Sequence, residues 1–216
     1  MLAGRLRFLQ QRSPVLVDWL PWHHTFGGNT ILGMTVFNGG SLYIDDGSPT
    51  PEGIQRTVEN LREVSPTFYC NVPKGFEALV EFLREDAAFR DQFFGDLQMM
   101  HFGGAILPAH VREALETLGR QARGAPVPML TGLGSTEACL AFFTEDASGM
   151  PGLVGRPVPG MAVKLVATGD KWEARIKGAN VTPGYWRAAD KTREAFDEEG
   201  YYRTGDAMRF ADPEEP

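Results

Sequence analysis

The sequence predicts an α/β protein: a parallel β-sheet lobe flanked by helices, followed by a smaller β-rich portion shaped as a distorted barrel. Two observations carry this prediction. From Val15 to about Gly132, short apolar runs alternate with amphipathic stretches, as expected of parallel strands joined by helices. Beyond about Asp146 the texture changes to closely spaced glycines and prolines with brief β-like runs. Glycine points the same way: 25 of 216 residues exceeds the ~7% of ordinary domains and favours tight turns over a helical bundle. The expected domains are therefore 1–145, an α/β lobe, and 146–216, a truncated β-rich subdomain.

Within the lobe, the predicted strands are Val15 to Leu20, Ser41 to Ile44, Thr67 to Asn71, Leu97 to Phe102 and Val127 to Thr131. Each is short and largely apolar, as a strand covered on both faces must be. Between them, Pro51 opens a helix behind Thr50 as cap, with Ile54, Val58 and Leu61 along one face. A second stripe runs through Phe76, Leu79, Val80 and Leu83, and a third through Val111, Leu115 and Leu118 after Pro108. These stripes are core, because they lack the polar partners that cofactor contacts need. In the second portion, β-like runs cover Ala162 to Val166 and Trp172 to Ile176, with a short helix at Thr192 to Phe196 before a strand at Tyr201-Tyr202. An amphipathic start, Leu2 to Gln11, reads as the tail of a helix belonging to another sheet, and an acidic tail runs from Asp212 to Pro216.

Composition excludes several function classes. A hydrophobic share of 43% supports a sizeable core, and a net charge of −7 argues against a nucleic-acid or anionic-membrane surface. An acidic protein still binds a nucleotide through backbone amides and a metal ion. Cys70 and Cys139 have no metal-ligand spacing and fit reduced thiols in a cytoplasm. No apolar run reaches the ~18 residues a bilayer requires, and the Arg5 and Arg7 region is not followed by a secretory apolar core, so a cytoplasmic location is expected.

The densest chemistry lies at Met129-Leu130-Thr131-Gly132-Leu133-Gly134-Ser135-Thr136-Glu137. Glycines admit a ligand close to the backbone, hydroxyls donate to phosphate oxygens, and a carboxylate holds a hard cation that the phosphate shares. Taken alone, Ser135 or Thr136 capping a helix with Glu137 in its first turn explains the same residues. Asp206, behind the Gly200-Tyr201-Tyr202-Arg203-Thr204-Gly205 segment, can accept from two neighbouring hydroxyls as a ribose diol offers; an acidic surface turn is the plain alternative. His23-His24 ends an apolar strand, where open α/β sheets place ligands, although a structural histidine is the commoner case. Adjacent histidines point differently and no further ligand has useful spacing, so zinc is excluded. Gly103-Gly104-Ala105 follows a strand and offers bare backbone to a flat ring, or is simply a tight turn. A serine-hydrolase elbow in the frame of Gly132 fails, because positions 134 and 136 are Gly and Thr rather than Ser and Gly.

Taken in order, Pro21-Trp22-His23-His24-Thr25-Phe26-Gly27-Gly28, Gly103-Gly104-Ala105, Gly132 to Glu137, Val154-Gly155-Arg156-Pro157, Pro183-Gly184-Tyr185-Trp186 and Tyr202 to Asp206 resemble the adenylate-forming enzymes: acyl- and aryl-CoA synthetases, adenylation domains of peptide synthetases and beetle luciferases. Asp18-Trp19-Leu20-Pro21-Trp22, Tyr43-Ile44-Asp45-Asp46-Gly47 and Asn71-Val72-Pro73-Lys74-Gly75 look most like the feruloyl-CoA synthetase branch, which activates aromatic acids. The resemblance implies ATP (leaving AMP), Mg²⁺, coenzyme A and a small carboxylic acid as ligands, with no nucleic-acid or membrane partner. It gives His24 the orientation of the carboxylate, Thr136 an α-phosphate oxygen, Glu137 the Mg²⁺ and Asp206 the ribose. It places Gly103, Gly104, Ala105, Gly132, Leu133 and Gly134 around the nucleotide, and Phe26, Gly103 and Gly132 around the acyl group.

Leu133 departs from the pattern, since many relatives stack an aromatic ring on adenine there. The family's Ser/Thr/Gly-rich triphosphate loop, hinge and C-terminal domain with its catalytic lysine are not found in the sequence. An internal piece of the large N-terminal domain, inactive by itself, is therefore expected. Two alternatives stand beside a ferulate ligase: a non-catalytic nucleotide-binding lobe, and an adenylating enzyme for fatty acids or amino acids.

Overall fold

A computed structural model describes residues 6–144 and 150–212. The expected boundary at 145/146, the first residues of the amphipathic start and the end of the acidic tail lie outside these. The chain divides into two units: Met1–Gly132 with Thr144–Val154, and Leu133–Phe143 with Gly155–Pro216.

The first unit is built on parallel strands. Strand β1 (Val15–Asp18) pairs in parallel with β2 (Ser41–Ile44), and β3 (Phe68–Asn71) with β4 (Met99–Phe102), which pairs in turn with β5 (Met129–Leu133). Thr67 links β1 to β3: its amide donates to the Val15 carbonyl at 2.9 Å, and its hydroxyl accepts from the Val15 amide at 2.9 Å. All four residues of β3 are buried, which explains its largely apolar sequence, and the one side-chain amide, Asn71, donates to the Tyr69 hydroxyl at 2.9 Å.

Three helices follow the expected stripes. The Thr50 hydroxyl accepts from the Gly53 amide at 3.1 Å and caps α2 (Pro51–Glu63), with Pro51 at its first position. Helix α3 (Pro73–Glu85) buries Phe76, Leu79, Val80 and Leu83, and α5 (Ala109–Arg123) buries Val111, Leu115 and Leu118 before ending at the left-handed Gly124. These faces meet β3 and β4 in one core, where the ring of Tyr69 is met edge-on by Phe76 and Phe93.

Several expectations need correction. Strand β1 ends at Asp18, so His23-His24 sits beyond it in a turn rather than at a strand end. That turn runs into an unexpected helical stretch, a π-helical segment (Phe26–Leu32) continuing into α1 (Gly33–Phe37). A further unexpected helix, α4 (Ala87–Gly95), is capped by Asp86, whose carboxylate accepts from the Phe89 amide at 3.0 Å. Among the described residues, the amphipathic start forms a 3₁₀ turn at Arg7–Gln10.

In the second unit, β6 (Phe142–Thr144) pairs antiparallel with β7 (Arg156–Pro157) through Phe142 and Phe143. A three-stranded antiparallel sheet has the order β10-β9-β8, formed by β8 (Ala162–Thr168), β9 (Lys171–Lys177) and β10 (Tyr202–Ala207). Helix α6 (Ala189–Ala195) begins and ends earlier than the expected Thr192 to Phe196. Beside the sheet, the buried Asp197 carboxylate receives Lys164 at 2.8 Å and Arg175 at 3.2 Å.

Candidate functional site

In the first unit the predicted residues converge on the loops after β1 and β4. His24 is exposed, and its Nδ1 accepts from the Phe26 amide at 3.1 Å. The neutral ring therefore keeps its hydrogen on Nε2, a donor free to meet a carboxylate. Phe26 stands edge-on to His101 with ring centroids 4.9 Å apart, and a Cβ added at Gly103 would lie 3.2 Å from the Phe26 ring. Gly103 is thus kept bare by an aromatic neighbour. Gly104 has φ +84°, which side chains rarely tolerate, so the bend after β4 depends on glycine. Ala105 follows it, exposed. His101 is buried, its Nδ1 has no hydrogen-bond partner, and burial holds its pKa down to about 4.

Gly132 closes the first unit at the end of β5, and the turn that follows lies wholly in the second. No helix begins at Ser135 to Glu137, so the capping alternative is overturned. Instead, Ser135 and Ala138 exchange backbone hydrogen bonds of 3.4 and 3.3 Å, and the Ser135 hydroxyl accepts from the Ala138 amide at 3.2 Å. A Cβ at Gly134 would meet the Cys139 carbonyl oxygen at 2.1 Å, so this glycine is required by the turn's own closure. Thr136 is exposed, Leu133 half-buried.

Glu137 is held from two sides. Its backbone carbonyl accepts from the Thr182 amide at 2.7 Å, and its Oε1 accepts from the Tyr185 hydroxyl at 2.8 Å. Tyr202 lies close enough to act on the same pair. The Tyr185 bond, more than any other contact, holds the Glu137 carboxyl below the usual range, while Tyr202 and Glu137 push the Tyr185 hydroxyl up. Sequence reasoning quoted Pro183 to Trp186 as a motif but assigned Tyr185 no partner, because 48 positions separate it from Glu137.

Asp206 lies exposed on β10, four residues beyond Tyr202; its amide donates to the Thr204 hydroxyl at 3.0 Å, leaving the carboxylate outward. Four residues of strand extend ~13 Å at most, and the irregularity between Arg203 and Ala207 shortens this.

Among the described residues, no group of three or more His, Cys, Asp or Glu could hold a metal by itself. A lone ionised carboxylate beside an exposed hydroxyl does fit Mg²⁺, which takes one or two carboxylates and completes its shell with water and substrate phosphates.

The profile of the AMP-binding enzyme family matches residues 2–186. Acyl-CoA synthetase 7 of Caenorhabditis elegans is 35% identical over 97% of this chain and 40% of its own length. The malonate–CoA ligase of Arabidopsis thaliana is 28% identical over 67% of the chain and 23% of its own length. Among solved structures, a malonyl-CoA ligase ternary product complex with methylmalonyl-CoA and AMP bound superposes with a TM-score of 0.70 at 28% identity, covering 99% of this chain and 46% of that one. The chain thus spans less than half the length of these relatives.

Proposed function

The chain belongs to the AMP-binding enzyme family, and from that premise we propose that it carries the adenylate site of an ATP-dependent carboxylate–CoA ligase acting on an aromatic acid such as ferulate. In the first step a carboxylate oxygen attacks the α-phosphorus of ATP; the bond to pyrophosphate breaks and an acyl-adenylate remains. In the second, the thiol of coenzyme A attacks the acyl carbon, loses its proton, and AMP leaves.

The residues divide this work by chemistry. His24 donates from Nε2 and orients the carboxylate. Thr136, exposed on its turn, donates to an α-phosphate oxygen, where loss of one such donor typically costs about 10²-fold to 10³-fold in rate. Glu137 holds Mg²⁺, which neutralises phosphate charge when bound. Asp206 accepts from the ribose diol. Gly103, Gly104, Ala105, Gly132 and Gly134 let the nucleotide lie against backbone, and Leu133 supplies an apolar wall where many relatives stack a ring. Phe26, Gly103 and Gly132 line the acyl pocket, with the Phe26 ring as an apolar wall for an aromatic acid.

One observation carries this proposal: on the turn that follows a parallel strand, Glu137 accepts from a tyrosine hydroxyl 2.8 Å away, a contact that favours the charged carboxylate a cation requires. The name of the C. elegans relative, an acyl-CoA synthetase, supports the reaction class, and the segments Asp18 to Trp22, Tyr43 to Gly47 and Asn71 to Gly75 support the aromatic acid. Calorimetry with AMP and with Mg²⁺-ATP tests the site in this chain; pyrophosphate release with ferulate, fatty acids and amino acids tests the substrate in a protein completed with the remaining parts of the family fold. Undiminished binding in both Glu137→Gln and Asp206→Ala sinks the assignments, and turnover confined to fatty or amino acids sinks the aromatic one.

A further inference from the structure

We propose that Tyr185 is a positioning residue: its hydroxyl fixes the Glu137 carboxylate in one orientation and so couples the Thr182–Trp186 segment to cation-dependent nucleotide binding. This rests on the proposed role of Glu137. The geometry is specific. Tyr185 donates to Oε1 of Glu137 at 2.8 Å, and the Thr182 amide donates to the carbonyl of the same residue at 2.7 Å. Glu137 is thereby pinned at both ends by one short segment.

The segment is itself braced. The Tyr185 amide donates to the Thr192 hydroxyl at 2.9 Å, and that hydroxyl donates to the Ala188 carbonyl at 3.0 Å, which ties the loop to the start of α6. The Thr182 hydroxyl accepts from the Gly184 amide at 3.2 Å and closes the bend before Tyr185. Tyr202 lies close enough to act on Glu137 and Tyr185, its ring edge-on against Phe196 with centroids 5.6 Å apart. A free glutamate samples several rotamers, and each cation bound must first select one. Holding the carboxylate beforehand removes that cost. A purely structural tether has no reason to end on a partly exposed carboxylate beside an exposed hydroxyl, Thr136.

Tyr185→Phe keeps the ring and removes only the donor; Tyr202→Phe removes the second hydroxyl that acts on the pair. Calorimetry on the full chain compares Mg²⁺-ATP with metal-free AMP, and amide hydrogen exchange follows Thr182. In Tyr185→Phe we expect Mg²⁺-ATP binding to weaken about tenfold, the usual scale for losing a hydrogen bond to a charged group. Metal-free AMP binding should stay unchanged and Thr182 should exchange faster, with a weaker version of the same pattern in Tyr202→Phe. Faster exchange with unaltered Mg²⁺-ATP affinity overturns the proposal, as does an equal loss of both ligands. If the wild-type chain binds neither nucleotide, the site assignment itself falls and this inference falls with it, an outcome distinct from the other two.

Discussion

In the first unit, Tyr69, Phe76, Phe93 and the apolar faces of α2, α3 and α5 close around β3 and β4, and polar groups buried beside them, such as Asp45, Thr57 and Asn71, are hydrogen-bonded to neighbours. In the second, the best-buried carboxylate, Asp197, sits between Lys164 and Arg175, and also accepts from the Glu199 and Tyr201 amides at 3.1 and 2.9 Å. The apolar side chains buried there, such as Phe142, Phe143 and Ile176, are few beside those of the first unit. The difference teaches where each kind of work is done. Apolar burial is non-directional and builds a rigid platform, whereas charge and hydrogen bonding are directional and set where Glu137 points.

Breaking the apolar side should give the largest effect. Phe93→Ala removes a fully buried ring contacting Tyr69 and Phe94, and a loss of about 3–5 kcal/mol is expected in urea unfolding. A value under about 1 kcal/mol would deny that this cluster is the core.

Among its buried titratable groups the first unit holds Asp18 and His101, of opposite sign when charged, and pH sharpens the comparison. Burial raises Asp18 to about 7, so the folded state holds a proton that the unfolded chain releases near 3.8. Its stability contribution is present below that lower value and is lost as pH rises through 7. His101 is held down to about 4 from 6.5, so its contribution is present above 6.5 and is lost as pH falls toward 4. Asp18→Asn should therefore be more stable than the parent above pH 7, by about 4 kcal/mol, with little difference near pH 4. Parallel stability curves across this range would show that Asp18 is not protonated in the folded state.

Asp197→Asn tests the charged side. Lys164 and Arg175 lose their shared partner, and the second unit should melt at a lower temperature, followed by Trp172 fluorescence. Asp197 is held below the ordinary carboxylate range chiefly by Lys164, so this unit's stability is present above pH 3.8 and declines as pH falls below it; in the variant that decline should be absent. Smallest of all, Arg84→Ala breaks an exposed pair with Glu81 and should change stability by less than about 0.5 kcal/mol.

Much of the fold was legible from local pattern. The strands at Ser41 to Ile44 and Thr67 to Asn71, the Thr50 cap and the stripes of α3 and α5 all follow from spacing and capping chemistry, which act over one or two turns. The helical stretch from Phe26 to Phe37 was hidden by its three glycines and its threonines, poor helix formers. A tertiary reason explains them: a Cβ at Gly27 or Gly28 would meet the Pro21 or Trp22 carbonyl oxygen at 2.5 or 2.4 Å. Helix α4 did carry a signal, Asp86 as cap with Phe89 and Phe93 four apart, but at nine residues its stripe is too short to stand out from its surroundings. In the site, residue types were readable at His24, Thr136, Glu137 and Asp206, but not their partners.

By itself the sequence determined which segments become strands and helices, and which turns carry hydroxyls, carboxylates and bare backbone, because period and turn chemistry are written in neighbouring residues. Only the tertiary structure decided that Tyr185 meets Glu137, that Asp18 and His101 are buried, and that no helix begins at Ser135 to Glu137. Those facts depend on contacts between distant positions, and on the water such contacts exclude, which no local pattern encodes.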